Sequence, residues 1–498
     1  AGDHQLVVVG DGNNERMDFP AALGAYGVYA HASANELALR AYTDPGAAVA
    51  SPQADGHGRS EVVAVTLEAG QIVEADLSLV EPAQLQLTVQ DGDGNPIPAM
   101  IHIQLPAGVD DPQPRDARLG ESRPRSGARK TVWVLDGEMT VPMVPGTYDL
   151  VGHRGFRFEM DRVDGVELTA GETTTATLIL QQAFETPGWI SADMHNHASP
   201  SMDGECTVEE RLASAAVAEV QLQVSTDHDH VADYRPAAAA MGLDEWMVSV
   251  VGDEISPTIR GHHNIYPVEP LADEPNGGAP RWWEVQVTTS ELYEMWRERI
   301  GEDAVLQVNH GRGSGMFQYA NFDSVNGVAN DPDFYCDAFD VMEVLNSKDY
   351  GDAEQLREDW RAHLDLGLRR TAVGVSDSHG RMPGTGHGRT YVRVGIDDVA
   401  DLDEVLFATA LKAQQAVVSG GPFVELIASD GGDTAEIGET LSASSATLQI
   451  QVLAPSWMPV DEVRLYSGGV LTDTWAVDAP APPVWFDVQV EVTPDQDT

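Results

Sequence analysis

Histidines and carboxylates recur at short intervals in one part of the chain, and their spacing is typical of metal ligands. Each group directly follows a short run rich in valine, isoleucine and leucine, which indicates a β-strand. The groups are His195 with His197, Asp203, His228, Glu254, His262, His310, and Asp377 with His379. Because the ends of neighbouring strands meet at a common rim, we expect these side chains to form one multinuclear metal site.

The two pairs separated by one residue have the most specific geometry. Alternate residues of an extended strand point to the same side, so His195 with His197, and Asp377 with His379, can each place two ligands on one ion. Imidazole combined with carboxylate suits zinc, manganese or iron. A single pair or a single carboxylate is more often an ordinary surface group. The recurrence of such groups after successive strands favours metal binding over that alternative.

Seven short motifs resemble those of the polymerase-and-histidinol-phosphatase (PHP) superfamily, and they are most similar to its CehA/McbA-like branch of metal-dependent hydrolases. The resemblance covers residues 185–425. The motifs are Gly188-Trp-Ile-Ser-Ala-Asp-Met-His195-Asn-His197, Ser201-Met-Asp203, Ser225-Thr-Asp-His228, Gly252-Asp-Glu254, Gly261-His262, Val308-Asn-His310 and Val375-Ser-Asp377-Ser-His379.

This resemblance implies two to three divalent metal ions, zinc, manganese or iron, and a distribution of ligands among them. The first ion would be held by His195, His197, Glu254 and Asp377, the second by Asp203, His228 and His379, and the third by Glu254, His262 and His310. Many relatives carry a histidine where this chain has Asp203, but a carboxylate is also a competent ligand. Adjacent residues of a strand face opposite ways, so only one of His262 and His263 should reach the site, and the Gly-His pairing favours His262.

A metal cluster of this kind predicts hydrolysis of a small-molecule substrate, because bound divalent ions lower the pKa of water toward neutrality and polarise an oxygen of the substrate. The resemblance favours a carboxylic ester, carbamate or related carbonyl substrate. The alternatives are a phosphoesterase and a non-catalytic, metal-stabilised binding protein. Asp377 or His379 could also transfer a proton.

Arg312 follows the predicted ligand His310 by two residues. It could hold a substrate oxyanion or form a surface ion pair, and the sequence favours neither. Arg389 is a weaker candidate for substrate contact. For His230, His363 and His387, ordinary surface or supporting roles are favoured over ligation.

The composition excludes several other classes of function. The chain has 498 residues, with 80 acidic against 29 basic side chains and a formal net charge of −51. Such a surface repels nucleic acid and anionic lipid, so we expect neither as a partner. No apolar run approaches the roughly 18 residues needed to span a bilayer. The appended β-rich segments favour export to the periplasm or cell exterior, with a cytoplasmic location as the alternative.

Alternating strands and helices predict an α/β fold with a parallel sheet or barrel, flanked by β-sandwich domains. The PHP resemblance implies that this is a distorted barrel of about seven β/α units. Thr207 with Glu210 forms a capping box at the start of one predicted helix. The segment from Val89 to Ala99 resembles the opening hairpin of carboxypeptidase-regulatory-like, transthyretin-like sandwiches, and residues 106–130 are predicted to be an exposed loop. The predicted domains are 1–82 (β-rich), 83–184 (transthyretin-like sandwich), 185–425 (hydrolase barrel) and 426–498 (C-terminal sandwich).

Overall fold

The computed structural model divides the chain into two compact units. The first comprises Ala1–His153 and Met160–Leu180, and the second comprises Arg154–Glu159 and Gln181–Thr498. Among residues 1–80 and at 128–129 only the backbone of the strands is described. Elsewhere the structure describes residues 81–112, 130–282, 287–347, 350–382, 384–478 and 481–493.

The N-terminal part of the first unit contains two small sheets. Their orders are β1-β5-β6 and β2-β3-β4-β7. The strands are β1 His4–Leu6, β2 Arg16–Asp18, β3 Gly27–Ser33, β4 Glu36–Tyr42, β5 Gly46–Ala50, β6 Val63–Leu67 and β7 Val73–Ser78.

The remainder of the first unit contains two further sheets, β10-β9-β12-β13 and β11-β8-β14. The strands are β8 Ala83–Gln90, β9 Ala99–Gln104, β10 Ala128–Val134, β11 Glu138–Met143, β12 Gly146–His153, β13 Asp161–Leu168 and β14 Thr173–Ile179. Alternate residues of β8 are buried, as expected for a strand with one face on a core. The Asp91 carboxylate accepts the backbone N–H groups of Asp93 and Asn95, so it stabilises the turn after β8. Most of the predicted exposed loop, residues 113–127, lies outside the described residues.

The second unit is mixed α/β, with many strands and few helices among its described residues. The strands that precede its C-terminal part are β15 Trp189–Asp193, β16 Leu222–Ser225, β17 Val248–Val251, β18 Asp253–Ile255, β19 His263–Tyr266, β20 Val305–Val308, β21 Phe322–Asp323, β22 Val328–Ala329, β23 Val341–Asn346, β24 Thr371–Val375, β25 Arg389–Arg393 and β26 Ala416–Ser419. The helices are α1 Val208–Val217, α2 Arg235–Ala240, α3 Thr289–Ile300, α4 Met316–Tyr319, α5 Ala353–Asp365 and α6 Glu404–Lys412. The capping box at α1 is confirmed, since Thr207 and Glu210 cap each other's backbone N–H groups.

Most of these strands form two five-stranded sheets, in the orders β17-β16-β15-β25-β26 and β18-β19-β20-β23-β24. The pairs β15–β16, β16–β17, β20–β23 and β23–β24 are parallel, whereas β15–β25, β18–β19, β19–β20 and β25–β26 are antiparallel. The β18–β19 connection is short and contains no helix, which an antiparallel pair permits and a parallel pair does not. The observed sheets are therefore mixed, although the strand and helix alternation alone indicated a parallel arrangement.

The C-terminal part of the second unit is again β-structure. A sheet of order β28-β27-β29-β32 is accompanied by the hairpin β30-β31. The strands are β27 Phe423–Ser429, β28 Thr434–Glu436, β29 Ala446–Leu453, β30 Glu462–Ser467, β31 Val470–Ala476 and β32 Val484–Val492. Among the described residues, no helix has the length and apolar character needed to cross a membrane.

Candidate metal centre

The ends of several strands carry the predicted ligands toward one point. His195 and His197 follow β15, His228 follows β16, His310 follows β20, and Asp377 with His379 follows β24, while Glu254 lies within β18 and His262 immediately precedes β19. Backbone contacts fix this convergence. The Asp377 N–H donates to the His195 carbonyl at 2.8 Å, and the His197 N–H donates to the Ser378 carbonyl at 2.9 Å.

The carboxylate of Glu254 lies at the centre of the cluster and is fully buried. Nitrogen atoms of five histidines lie within 3.5 Å of its oxygens. The distances are 3.2 Å to His195 Nε2, 3.5 Å to His197 Nε2, 2.8 Å to His228 Nδ1, 3.2 Å to His262 Nδ1 and 3.5 Å to His310 Nε2. The ion-pair partners found for Glu254 in the described structure are thus histidines, which can exchange a proton for a metal ion.

The histidine rings form a closed circuit around this carboxylate. Successive centroids lie 5.1, 4.7, 5.2, 5.0 and 5.8 Å apart along His195, His197, His228, His262, His310 and back to His195. The His379 ring stacks on the His197 ring at 4.1 Å. Imidazoles packed this closely around a carboxylate are an arrangement expected for a shared set of ions.

Four overlapping groups of side chains in the described residues place ligand atoms within 4.8 Å of one another. They are His197, Asp203, His228 and His379; His195, Glu254 and His310; His195, His197 and Asp377; and His228, Glu254 and His262. All nine predicted ligands are included. The grouping differs from the one that the family resemblance implied, because His197 also joins the Asp203 group and His310 lies with His195 rather than with His262.

Several of the atoms that could bind a metal ion make no hydrogen bond within the described structure. They include the buried His195 Nε2, His197 Nε2 and His262 Nδ1. Buried polar atoms are nearly always paired, so unpaired nitrogens facing carboxylates indicate a place for a cation. Neutral imidazole and carboxylate are the ligands that zinc, manganese and iron accept. The residues present therefore fit divalent metal ions.

The electrostatics of the cluster favour bound positive charge. Burial lowers the pKa of His195, but the charges of Asp377, Glu254 and Glu343 outweigh it and raise the pKa well above 6.5. Burial lowers the pKa of His197 to about 4, although the nearby Asp377 and Glu254 carboxylates act in the opposite direction. Burial raises the pKa of Glu254, yet the neighbouring histidines, His195 foremost, bring it well below 4.5. The carboxylates thus retain their charge in a buried site, where protons or metal ions must neutralise it.

The structure separates His262 from its neighbour His263. His262 contacts Glu254, whereas His263 lies fully buried on the other side of the strand, where its Nδ1 is 3.2 Å from the Tyr293 hydroxyl and its Nε2 is 3.3 Å from the Arg260 carbonyl. The opposite directions follow from the alternation of side chains along a strand.

Two of the ligand residues have backbone conformations that non-glycine residues rarely adopt. The φ angles are 27° at His310 and 47° at Asp377. Such conformations cost of the order of 1–3 kcal/mol each and persist only where the surroundings enforce them. Here the His310 N–H donates to Glu343 and the Asp377 N–H to the His195 carbonyl. The ligand geometry is thus held by the fold.

Exposure within the cluster is graded. The side chains of His195, His197 and Glu254 are 0% exposed, whereas Asp203 is 46% and His379 is 34% exposed. The cluster is therefore open to solvent at Asp203 and His379 and also at His262, which is 31% exposed, and a substrate would enter on this exposed side.

Arg312 lies in a buried ion pair. Its Nε donates to Asp359 Oδ2 at 2.7 Å, its Nη2 also donates to Asp359 Oδ1, and the same Nη2 donates to the Phe322 carbonyl at 3.0 Å. This arrangement corresponds to the ion-pair alternative, although the pair is buried and not on the surface. A role in oxyanion binding stays a prediction.

Arg389 is also buried and engaged. Its guanidinium donates to the Gly386 and Ala218 carbonyls and lies 4.2 Å above the ring of Phe156. These contacts give it a supporting role in the packing of the second unit.

The remaining histidines lie outside the four ligand groups. The His230 N–H donates to Asp253, His363 is stacked on Phe322, and the exposed His387 makes an edge contact with an aromatic ring. The ordinary roles favoured for them by the sequence agree with these surroundings.

Three residues that support the ligands were not found from the sequence. Glu343 on β23 accepts the His195 Nδ1 hydrogen bond at 2.6 Å, Asn309 donates to Glu254 at 2.8 Å, and Ser256 Oγ lies 2.6 Å from His228 Nδ1. Asn309 adjoins the ligand His310, which was the one available signal. Glu343 lies inside an apolar strand, and three of its four partners come from distant parts of the chain, so no spacing pattern marks it.

Comparisons with known proteins find partial likenesses only. No family model matches the chain, and no curated protein matches it. One similar solved structure is a two-domain protein from Bacteroides vulgatus that contains a predicted PHP-like metal-dependent phosphoesterase, with 16% identity, a TM-score of 0.37 and coverage of 63% of this chain and 90% of that one.

Two other solved structures share smaller parts of the chain. An amidohydrolase from Chromobacterium violaceum is 15% identical, with a TM-score of 0.26 and coverage of 39% of this chain and 90% of that one. The minor pilin of Streptococcus agalactiae is 14% identical, with a TM-score of 0.16 and coverage of 30% and 61%. At these scores the likenesses carry no functional argument, which rests on the geometry of the cluster.

Proposed function

We propose that the protein is a metal-dependent hydrolase that uses a metal-activated water, acting on a carboxylic ester, carbamate or related carbonyl substrate. The observation that supports this proposal is the ring of five histidines around the buried Glu254 carboxylate, with Asp377, Asp203 and His379 beside it. Two to three ions of zinc, manganese or iron would be held by these residues. We further propose that the protein belongs to the CehA/McbA-like branch of the PHP superfamily and is exported from the cytoplasm. Residues 185–425 would form a distorted seven-unit barrel. The flanking β-domains would be residues 1–82, 83–184 and 426–498.

The chemistry supplied by such ions is an activated water and a polarised substrate oxygen. The protein's residues supply the remainder. The buried ligands hold a fixed array of negative charge and lone pairs, so little reorganisation is needed during reaction. The half-exposed Asp203 and His379 lie where a substrate would enter. His379 Nε2 is 3.2 Å from Asp203 Oδ2, so these two side chains would hold the ion nearest the mouth of the site.

The charge around the mouth favours a carbonyl substrate over a phosphate ester. A dianionic phosphate would meet the exposed Asp203 carboxylate, and the buried arginines nearest the ligand loops are engaged elsewhere. Arg211 donates to the carbonyls of His197, Ser378 and Gly380, and Arg312 pairs with Asp359. A neutral ester or carbamate avoids this repulsion.

The proposal is tested by metal analysis of the purified protein together with hydrolysis of p-nitrophenyl acetate, aryl carbamates and p-nitrophenyl phosphates. His195→Ala and Asp377→Ala are expected to abolish hydrolysis. His387→Ala, an exposed histidine outside the ligand groups, is the matched control and should leave it unchanged. Activity on phosphates alone would replace the carbonyl assignment by a phosphoesterase. A folded protein that binds no divalent ion and hydrolyses none of these substrates would overturn the proposal.

A further inference from the structure

A second buried carboxylate, Glu343, lies behind the ligands and is 1% exposed. It occupies the middle of β23, and the neighbouring side chains Met342 and Val344 belong to the apolar cores of the unit. A charged group in such a position is costly unless every oxygen is hydrogen-bonded. The hydrogen-bond partners of Glu343 therefore indicate the role of its charge.

Three of the four partners found for the Glu343 carboxylate are N–H groups that donate to it, and the fourth is a histidine ring nitrogen. Oε1 lies 2.6 Å from His195 Nδ1 and accepts from Gln307 Nε2 at 3.0 Å. Oε2 accepts from the His310 backbone N–H at 2.6 Å and from Asn346 Nδ2 at 2.9 Å. An ionised carboxylate is the side-chain group that accepts at both oxygens and donates nothing.

The hydrogen bond to His195 decides which ring nitrogen carries the proton. Because an ionised Glu343 can only accept, His195 Nδ1 carries a hydrogen and donates it, so the neutral ring that a metal ion requires has its lone pair on Nε2. His195 Nε2 is the atom 3.2 Å from Glu254 and 3.3 Å from Asp377 Oδ1. The ring is thus held in the tautomer that a metal ligand needs.

The same carboxylate reaches two further ligands. It accepts the N–H of His310, whose φ is 27°, and it binds Asn346 Nδ2, which also donates to Asp377 Oδ2 at 3.2 Å. That second bond leaves Asp377 Oδ1 facing His195 Nε2 and His197 Nε2, each at 3.3 Å. Glu343 therefore contacts or orients one ligand after each of β15, β20 and β24.

We propose that Glu343 is a positioning residue that sets the His195 tautomer and aligns His310 and Asp377, and thereby determines the metal affinity of the groups that contain His195. This inference rests on the proposed metal-dependent function. It assigns Glu343 no direct contact with substrate or metal.

Glutamine has nearly the same size as glutamate but carries no charge and has an NH₂ group in place of one oxygen. Glu343→Gln therefore tests the charge and hydrogen bonding of this side chain without changing its size. The glutamine amide would place an NH₂ group against donors in either orientation. On the side of the His310 backbone N–H it meets a group that can only donate, so the NH₂ group must turn toward His195 and Gln307. His195 can relieve that clash by moving its proton to Nε2, which removes the lone pair needed for ligation.

The test is calorimetric titration of the metal-stripped protein with Zn²⁺, repeated with Co²⁺ and read by its visible spectrum, alongside thermal unfolding. Glu343→Gln is expected to bind the first ion about 10–100-fold more weakly and to change the Co²⁺ spectrum. Glu343→Asp keeps an acceptor at both oxygens and should retain more affinity than the glutamine variant. Asp340→Asn is the matched control: it precedes β23, accepts the Leu306 N–H at 2.8 Å and pairs with Arg297, and is predicted to lower stability without changing affinity.

Wild-type affinity in Glu343→Gln, or an equal loss of affinity in Asp340→Asn, would overturn the positioning role while leaving the metal-dependent function in place. A wild-type protein that binds neither ion would overturn the proposed function and this inference with it. If Glu343→Gln fails to fold, Glu343→Asp is compared with the wild type instead. Wild-type metal affinity and an unchanged Co²⁺ spectrum in Glu343→Asp would then overturn the positioning role.

Discussion

Gly204 packs directly against the Ala198 carbonyl oxygen, so that a Cβ at position 204 would lie 1.9 Å from that oxygen. Ala198 follows the ligand His197, and Gly204 follows the ligand Asp203. The intervening loop is closed by Ser201, whose N–H donates to the Ala198 carbonyl and whose Oγ donates to Asp203 Oδ1 at 2.8 Å. This contact sets the distance between two parts of the ligand set.

Gly204→Ala is therefore predicted to displace Asp203 and to remove the ion that it shares with His379. The groups built on His195 and Glu254 should keep theirs, because these two side chains are fully buried and do not depend on the loop of Asp203. Metal content per chain, measured by plasma emission, should fall by one ion. Gly432→Ala, where the nearest atom lies 3.5 Å from the added Cβ, is the control. Unchanged metal content in a folded Gly204→Ala protein would contradict the prediction.

Removal of metal by a chelator should proceed in two phases. Asp203 and His379 are 46% and 34% exposed, whereas His195 and Glu254 are 0% exposed. The chelator should reach the first pair quickly and the second only after local opening. The measurement is release followed with a metallochromic dye, and Asp203→Asn should alter the fast phase alone. A single phase with full metal loading would show that the exposure gradient has no effect on release.

Arg312→Met is predicted to destabilise the protein by about 3–5 kcal/mol, because it leaves the buried Asp359 charge unpaired. Arg357→Met removes an exposed ion pair with Glu354 and should cost at most about 1 kcal/mol. Urea unfolding compares the two variants, and hydrolysis is measured well below the unfolding midpoint. Intact stability with a large loss of turnover in Arg312→Met would instead assign Arg312 to oxyanion binding.

His363 should make the protein less stable in mild acid. Burial lowers the pKa of His363, which is fully buried and hydrogen-bonded to the Asp359 carbonyl and the Tyr335 hydroxyl. The folded state keeps the ring neutral, so the unfolded state takes up more protons as the pH falls through 6.5, and stability decreases by at most about 1.4 kcal/mol per pH unit.

The comparison that isolates this effect is the free energy of unfolding of His363→Phe and wild type between pH 7.5 and pH 5.5. The wild type is expected to lose more stability across that interval, since phenylalanine cannot titrate and the other groups are common to both proteins. Parallel curves would show that His363 is protonated in the folded state or contributes nothing.

The nine predicted ligands, which the structure brings close together, could be selected from sequence because they are local signals: histidines and carboxylates that follow short apolar runs, two pairs of them in His-x-His and Asp-x-His. Their grouping was not predictable. His197 joins Asp203 because its ring stacks on His379 at 4.1 Å, and that packing depends on two distant loops meeting. Helix α1 begins at the capping box that Thr207 and Glu210 predicted.

Glu343 shows the other limit of sequence reasoning. The positioning role proposed for Glu343 depends on its contacts with His195, Gln307 and His310. These residues are far apart in the chain and meet only when the sheets form. The mixed direction of the strands had a similar cause, since β18 and β19 pair antiparallel across a connection without a helix. The predicted metal ligands follow local sequence patterns, whereas the residues that support them come together only when the sheets assemble.

The Glu254 carboxylate is the shared centre of the proposed metal site. The most direct test is to measure the metal content of the wild type and of Glu254→Gln after saturation with Zn²⁺ or Mn²⁺ and desalting. We expect two to three ions per chain in the wild type, consistent with the overlapping ligand groups, and at most one in Glu254→Gln. A folded Glu254→Gln protein that retains the full wild-type complement, or a wild type that retains none, would contradict the account.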